Sequence, residues 1–556
     1  MEYMDYTVSD HILDRLVELG VRHIFGVPGD YNLGFLDRVV RHPGITWVGC
    51  TNELNAAYAA DGYARIAGLG AVLTTYGVGE LSALNGIAGA FAENVGVVQI
   101  TGAPSSALMR AGAPVHHSFA DGDWERFARM YREVTCADAF LREEDACDQV
   151  DTVLRRCRDE RLPVHLTLPS DVAGTPTMRS IEPLGGAEPV LSGVQTLERA
   201  LHDLLGAAPG RPSAAVVVGP EAARFGERGQ VRALVDALDV PSASLPLGKG
   251  TVDEEHRSYV GLYAGGLGDP RCSAVVEAAD VVVSLGALAT GGTMPFTASI
   301  DPARLVEVRP HVTTVAGVEH EVAMELSLST VERVLRGSVV APRPNPPHPV
   351  PEPTRTLPQG SLSQATLWNL LGAFVTDDDV LVVEAGTSFY GALEVALPSN
   401  AELLTQGMWS SIGYTLPATL GAALAAPHRR AILVIGDGSF LLTSSELSTL
   451  FALDAAPIVV LVNNDGYTVE RAIHGPDAVY NDIPTWNWQA VPNAAGASHA
   501  RVQRATTTAE LTDVLRSART ESARPSFIEA VLPRMDVPPL LARVADVVTR
   551  RNAYVP

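Results

Sequence analysis

A chain of 556 residues, 46% hydrophobic and 19% charged, is too apolar for the disordered class and long enough for about three or four domains with large buried cores. Sixty-four acidic against 41 basic residues leave a net charge of −23, a surface that repels phosphodiester backbones and anionic membranes over a Debye length. Nucleic acid and membrane are therefore poor partners, and an anionic ligand must be captured locally, by a metal ion, a helix N-terminus or a focused basic group.

Five cysteines, Cys50, Cys136, Cys147, Cys157 and Cys272, are scattered without CxxC spacing, which predicts buried reduced thiols and neither a zinc knuckle nor a disulfide framework. The start, MEYMDYTVSD, lacks the basic region and apolar core of a signal peptide, and no uncharged apolar run approaches a bilayer span. The expectation is a cytoplasmic protein.

From residue 1 to 178 short apolar runs alternate with amphipathic segments: VRHIFGVPGD, ITWVGCTNELNAAYAADGYARIAG, AVLTTYGVGELSALNGIAGAFAE, VGVVQITGAP. Strand, glycine turn and helix in repetition predict a parallel sheet with helices on its faces. After GTPTMRSIEPLGGAEP, a second α/β unit spans 190–340, with SAAVVVGP, DVVVSLGA and RLVEVRP as buried strands. Residues 341–358, APRPNPPHPVPEPTRTLP, hold eight prolines and predict an extended linker. The third unit, 359–556, repeats the alternation with VLVVEAG, RRAILVIGDGSF, PIVVLVNNDG and SFIEAVLP. The expected fold is α/β, with three doubly wound parallel-sheet domains.

Within the first unit, APVHHSFADG sets His116 beside His117. Adjacent residues point to different sides of a strand or helix and seldom share one metal ion. Read alone, the pair is a loop with two polar rings in water.

The third unit carries more chemistry. Gly436-Asp437-Gly438-Ser439 follows the run AILVI, and Asn463-Asn464-Asp465-Gly466 follows IVVLV. Both sit at carboxyl ends of expected parallel strands, the edge where open α/β sheets bind ligands. Asp437, Asn464 and the Gly466 carbonyl offer hard oxygens suited to a magnesium ion that takes its remaining ligands from phosphate.

GDGS followed by NNDGYT resembles the cofactor fingerprint of the thiamine diphosphate enzymes. The resemblance implies thiamine diphosphate and Mg2+, with Asp437, Asn464 and the Gly466 carbonyl as metal ligands. Thr387, Gly438, Ser439 and Tyr467 then join the cofactor site, Ile412 props the cofactor into a V shape, and the Ser410 carbonyl accepts from its amino group. The pyrimidine-binding, central and diphosphate-binding domains of that family match the three units in order.

Such an enzyme also needs a buried carboxylate to exchange a proton with the aminopyrimidine ring. Glu53, in GCTNELNAAYAADGYAR, reads by itself equally well as a helix-start carboxylate favoured by the macrodipole. The match to the family's glutamate motif implies the catalytic role, and with it a homodimer or homotetramer whose active sites lie between subunits.

Asp30 in VPGD, His116, His117 and Glu470 in GYTVE together resemble the non-oxidative 2-oxo acid decarboxylases, in particular those acting on indolepyruvate and phenylpyruvate, with the branched-chain and pyruvate enzymes close behind. After carbon dioxide leaves, a carbanion or enamine must be protonated before the aldehyde departs, and imidazoles beside carboxylates suit that relay. The pocket residues implied are Ala385, Phe389, Val469, Ile473, Val544 and Val548, several of them small, which favours bulky or aromatic side chains. A thiamine-dependent carboligase, a pyruvate or branched-chain decarboxylase, and a cofactor-free scaffold are the alternatives; Glu53 and Asp437 argue against the last. Phe119 and Ala120 depart from the family's usual Leu and Gly.

Overall fold

The computed structural model describes residues 6–180, 182–185, 191–207, 210–287, 300–342, 360–453, 455–521 and 523–552. The expected linker at 341–358 lies, beyond its first two residues, outside them. No helix among the described residues is long and apolar enough to cross a membrane.

Runs rich in Val, Ile and Leu form strands buried on both faces, as parallel sheets covered by helices require. The first sheet contains β1 (His23–Gly26), β2 (Thr46–Gly49), β3 (Gly70–Thr75), β4 (Val97–Ala103), β5 (Ala137–Phe140) and β6 (Val164–Pro169). Their order is β2-β1-β3-β4-β6-β5, parallel throughout.

The middle sheet contains β7 (Ala214–Val218), β8 (Ser242–Ser244), β9 (Tyr259–Leu262), β10 (Val281–Leu285), β11 (Leu305–Val308), β12 (Thr313–Val315) and β13 (Val318–His320). It is not wholly parallel: β12 runs antiparallel to both β11 and β13. Only short turns separate these three strands, too few residues for a parallel crossover.

The third sheet contains β14 (Asp379–Val383), β15 (Glu402–Leu404), β16 (Arg430–Gly436), β17 (Ile458–Asn463), β18 (Arg501–Ala505) and β19 (Ser526–Val531), in the order β15-β14-β16-β17-β19-β18. Strand for strand this repeats the order of the first sheet. The outer domains are thus topological copies, and each has its switch point beside its first strand, where open α/β sheets bind ligands.

The two copies pack through the Glu53–Ala67 and Thr415–Ala425 helices. Small residues let the backbones approach: a Cβ on Gly62 would stand 2.2 Å from the Ala418 carbonyl oxygen, and one on Gly421 1.9 Å from that of Ala59. Tyr58, Tyr63, Tyr414, Phe440 and Phe451 share one core across the contact. Arg65 bridges it by donating to Asp61 and the Thr405 carbonyl at 2.6 and 2.7 Å. The cysteines are all free, but only Cys157 and Cys272 are buried; the other three are half-buried, because they lie at strand ends and helix edges where the layers open.

Candidate active site

Parallel pairing of β16 with β17 sets Gly436 beside Val462, which brings the Asp437–Thr443 helix and the Asn464–Gly466 turn to one edge of the sheet. Asp437 is buried. Its Oδ1 accepts from the Gly438 N–H at 2.8 Å and its Oδ2 from the Gly466 N–H at 3.1 Å. Desolvation pushes its carboxyl up to about 6, against these N–H bonds.

One end of the buried Asn464 amide lies 3.2 Å from Asp437 Oδ1 and 3.1 Å from the Gly466 carbonyl oxygen; the other lies 3.0 Å from Thr468 Oγ1. With NH2 at the first end, the amide donates to both oxygens. With its oxygen there, three hard oxygens converge with no proton among them, which a divalent cation would reconcile. The donor set therefore fits a magnesium ion.

Around this point lies a pocket of about 240 Å3. Of the residues expected there, Thr387, Ser410, Ile412, Asp437, Gly438, Ser439, Asn464, Gly466 and Tyr467 line it, as do Ala385, Val469 and Glu470. Glu470 sits on an exposed rim. Four expected wall residues do not line it. Phe389 and Val544 are buried in a cluster with Trp368 and Leu540, and Val548 packs partly against that cluster. Ile473 is absent from the lining too; its backbone carbonyl accepts from Thr549 Oγ1 at 2.6 Å. Tyr390 lines the pocket instead. Helical spacing could have found it: three residues after Thr387, it shares a face that Phe389 does not.

The other expected catalytic groups stand on the first domain. Glu53 begins its helix behind Asn52, whose side chain accepts from the Asn55 N–H. It lies against Gly79, where a Cβ would come 3.3 Å from Glu53 Oε1. His116 Nε2 meets Asp30 Oδ2 at 2.8 Å. The His116 ring stacks on Tyr31 at 5.1 Å and meets His117 edge-on at 4.5 Å. One ligand atom from each of Asp30, His116 and His117 falls within 4.8 Å of the other two, and the Asp30–His116 pair is within direct hydrogen-bond reach.

His117 takes the left-handed φ of 64°. Behind it, Gly77 has φ 65°, and a Cβ there would stand 2.0 Å from the His117 carbonyl oxygen. Glu80 holds this turn by accepting from the Gly77 N–H at 2.7 Å, and lies 3.5 Å from His165 Nε2. Burial pushes the Glu80 carboxyl up to about 8 and the His165 imidazole down to about 3, so the contact joins neutral groups and is no ion pair.

A pH dependence follows. Between pH 6.5 and 8 the folded protein keeps a Glu80 proton that the unfolded chain has released, so Glu80 makes stability fall as pH rises, by at most about 1.4 kcal/mol per pH unit. His165 acts oppositely, and only below pH 6.5. Denaturant titrations should show Glu80→Gln flattening the slope over pH 6.5–8; an unchanged slope would refute the assignment.

None of the residues lining the pocket around Asp437 belongs to the first domain, so Glu53, His116 and His117 are not among them. A larger cleft, about 580 Å3, lies where the middle domain meets Leu393–Ala396 and Leu540. It is chemically balanced: Lys249 pairs with Glu254 at 2.7 Å and Arg271 with Asp269 at 2.7 Å.

Comparison with known proteins bears on this geometry. Residues 6–123 match the family described as thiamine pyrophosphate enzyme, N-terminal TPP binding domain; 203–327 match its central domain and 386–530 its C-terminal TPP binding domain. An alpha-keto-acid decarboxylase of Mycobacterium ulcerans is 45% identical over 549 residues, covering 96% of this chain and 95% of the relative. Proteins of the same description from Mycolicibacterium paratuberculosis and Mycobacterium tuberculosis are 44% and 42% identical, each over 97% of this chain and 96% of their own length.

Proposed function

We infer, for a chain that belongs to the thiamine pyrophosphate enzymes and within them to the alpha-keto-acid decarboxylases, that it splits a 2-oxo acid into an aldehyde and carbon dioxide and favours bulky or aromatic side chains. The observation that carries the reaction is the convergence of Asp30, His116 and His117 within 4.8 Å, together with a Glu470 on the rim of the Asp437 pocket. Bound thiamine diphosphate supplies the carbon nucleophile and the electron sink for carbon–carbon cleavage.

The residues act around it. Asp437, Asn464 and the Gly466 carbonyl would hold magnesium, which would supply the counter-charge for a diphosphate. Ile412 and the Ser410 carbonyl orient the rings. Glu53, at the start of its helix, would hold the proton to be exchanged with the cofactor's pyrimidine on its carboxyl oxygen. Asp30 holds His116 through Nε2, His117 stands next in the relay, and Glu470 closes the pocket side of the reacting carbon.

These groups meet in a dimer. Asp30 and His116 keep 47% and 59% of their side-chain surface exposed, a poor setting for a relay that must exclude bulk water. Leu33, Val78 and Phe119 are exposed on the first domain, as are Leu442, Val479 and Tyr480 on the third. Burying these apolar side chains favours contact between the first domain of one subunit and the third of another.

Support for bulky substrates comes from Ala385, Gly386 and Val469 on one side of the pocket, with no tryptophan or phenylalanine among its lining residues. An aromatic side chain gains roughly 25 cal/mol for each Å2 it buries there. The test is carbon dioxide and aldehyde release, with thiamine diphosphate and magnesium, from pyruvate, 2-oxoisocaproate, phenylpyruvate and indolepyruvate. The expected result is highest kcat/KM on the aromatic acids. A maximum on pyruvate overturns the size preference, and 2-hydroxy ketones without free aldehyde indicate carboligation.

A further inference from the structure

Glu384 ends an apolar strand, in VLVVEAG, where a strand buried on both faces would ordinarily carry no charge. It follows β14 at the switch point of the third sheet, next to Ala385 of the pocket wall, and is 1% exposed. Its two oxygens serve different segments. Oε1 accepts from the Ala385 N–H at 3.0 Å. Oε2 accepts from the Gly413 N–H at 3.2 Å, the Thr415 N–H at 3.4 Å and Thr415 Oγ1 at 2.5 Å.

The turn so held carries Ser410 and Ile412, both on the pocket wall. It is an unfavourable turn: Ser410 has φ 53° and Gly413 φ 88°, and the left-handed region is strained for a non-glycine residue such as Ser410. Such a backbone persists only when its surroundings over-determine it. On its far side Thr443 Oγ1 donates to the Gly413 carbonyl at 2.7 Å, and a Cβ on Gly413 would stand 3.0 Å from Leu442 Cβ. Glu384 clamps the N–H side and the Asp437–Thr443 helix the carbonyl side.

We propose that Glu384 is a positioning residue, whose carboxylate links the strand end at Ala385 to the Ser410–Thr415 turn and thereby sets the spacing of the two walls that hold the cofactor. Among the described residues no arginine, lysine or histidine forms an ion pair with it; neutral donors hold the charge, and burial pushes the carboxyl up to about 7. A carboxylate is needed because both oxygens accept. A glutamine would turn an NH2 group toward an N–H on one side or the other.

The inference rests on the cofactor reading for Ala385, Ser410 and Ile412, so its test has an arm independent of that reading. Hydrogen exchange is measured on the cofactor-free full chain for the peptide spanning 408–415, and thiamine diphosphate affinity at saturating magnesium is measured separately by fluorescence titration. In Glu384→Gln, exchange in that peptide should quicken about tenfold and cofactor Kd rise about tenfold, the scale of a lost hydrogen bond to a charged group. Thr415→Val, which removes only the hydroxyl donor, should shift both in the same direction by less, and should add little to Glu384→Gln. Unchanged exchange in both variants overturns the proposal. Quickened exchange spread over the whole chain overturns it too, as a general loss of stability. If the parent protein fails to bind thiamine diphosphate, the cofactor reading falls, while local exchange still decides the clamp.

Discussion

Glu53→Gln should lose turnover by roughly 10²–10⁴-fold, the range expected for a positioned acid–base group, with the fold and the cofactor affinity nearly unchanged. The substitution keeps size and hydrogen-bonding shape but cannot exchange a proton. Glu53 is the first residue of its helix, behind an Asn52 cap that survives the change, so the helix retains its start. Gly79 faces the side chain with no Cβ to collide, and glutamine fits the same space. The measurement is single-turnover carbon dioxide release alongside the thermal midpoint and cofactor Kd. Near-parent turnover would refute cofactor activation by Glu53; lost activity with lost folding would leave only a structural role at the helix start.

Pairing two inactive variants should restore activity if the sites lie between subunits. Glu53→Gln disables the first-domain half-site and Asp437→Ala the third-domain half-site. In a two-fold dimer, each site takes one half from each chain, so a mixed dimer holds one site with both lesions and one with neither. Random pairing on co-expression makes half of the dimers mixed, and the expected recovery is about a quarter of parent activity. If Glu53 served the pocket of its own chain, every site in every mixed dimer would carry a lesion and activity would stay at the level of the single variants. Affinity tags that isolate the mixed species separate the two outcomes.

The expected strands of all three domains lie on apolar runs, and GDGS and NNDGYT stand side by side because β16 and β17 are adjacent and parallel. The lining of the Asp437 pocket was legible for the same reason: most of its residues belong to short segments after strands, so position along the chain dictates position in space. The expected substrate-pocket residues were less so. Phe389, Val544 and Val548 belong to helices with apolar residues on more than one face, and composition does not say which face meets the pocket. Tyr390 replaced Phe389 by one step of helical rotation.

The sequence by itself determined the three α/β units, the meeting of Asp437, Asn464 and Gly466 at one sheet edge, the paired histidines and the glutamate at the start of its helix, since each is a local pattern of residue type and spacing. Tertiary structure alone decided the identical strand order of the first and third sheets, the antiparallel edge of the middle sheet, the pairing of Asp30 with His116 across 86 positions at 2.8 Å, and the clamp at Glu384. These depend on contacts between segments far apart in the chain, whose geometry is set by packing and hydrogen-bond satisfaction over the whole fold and leaves no local periodicity to read.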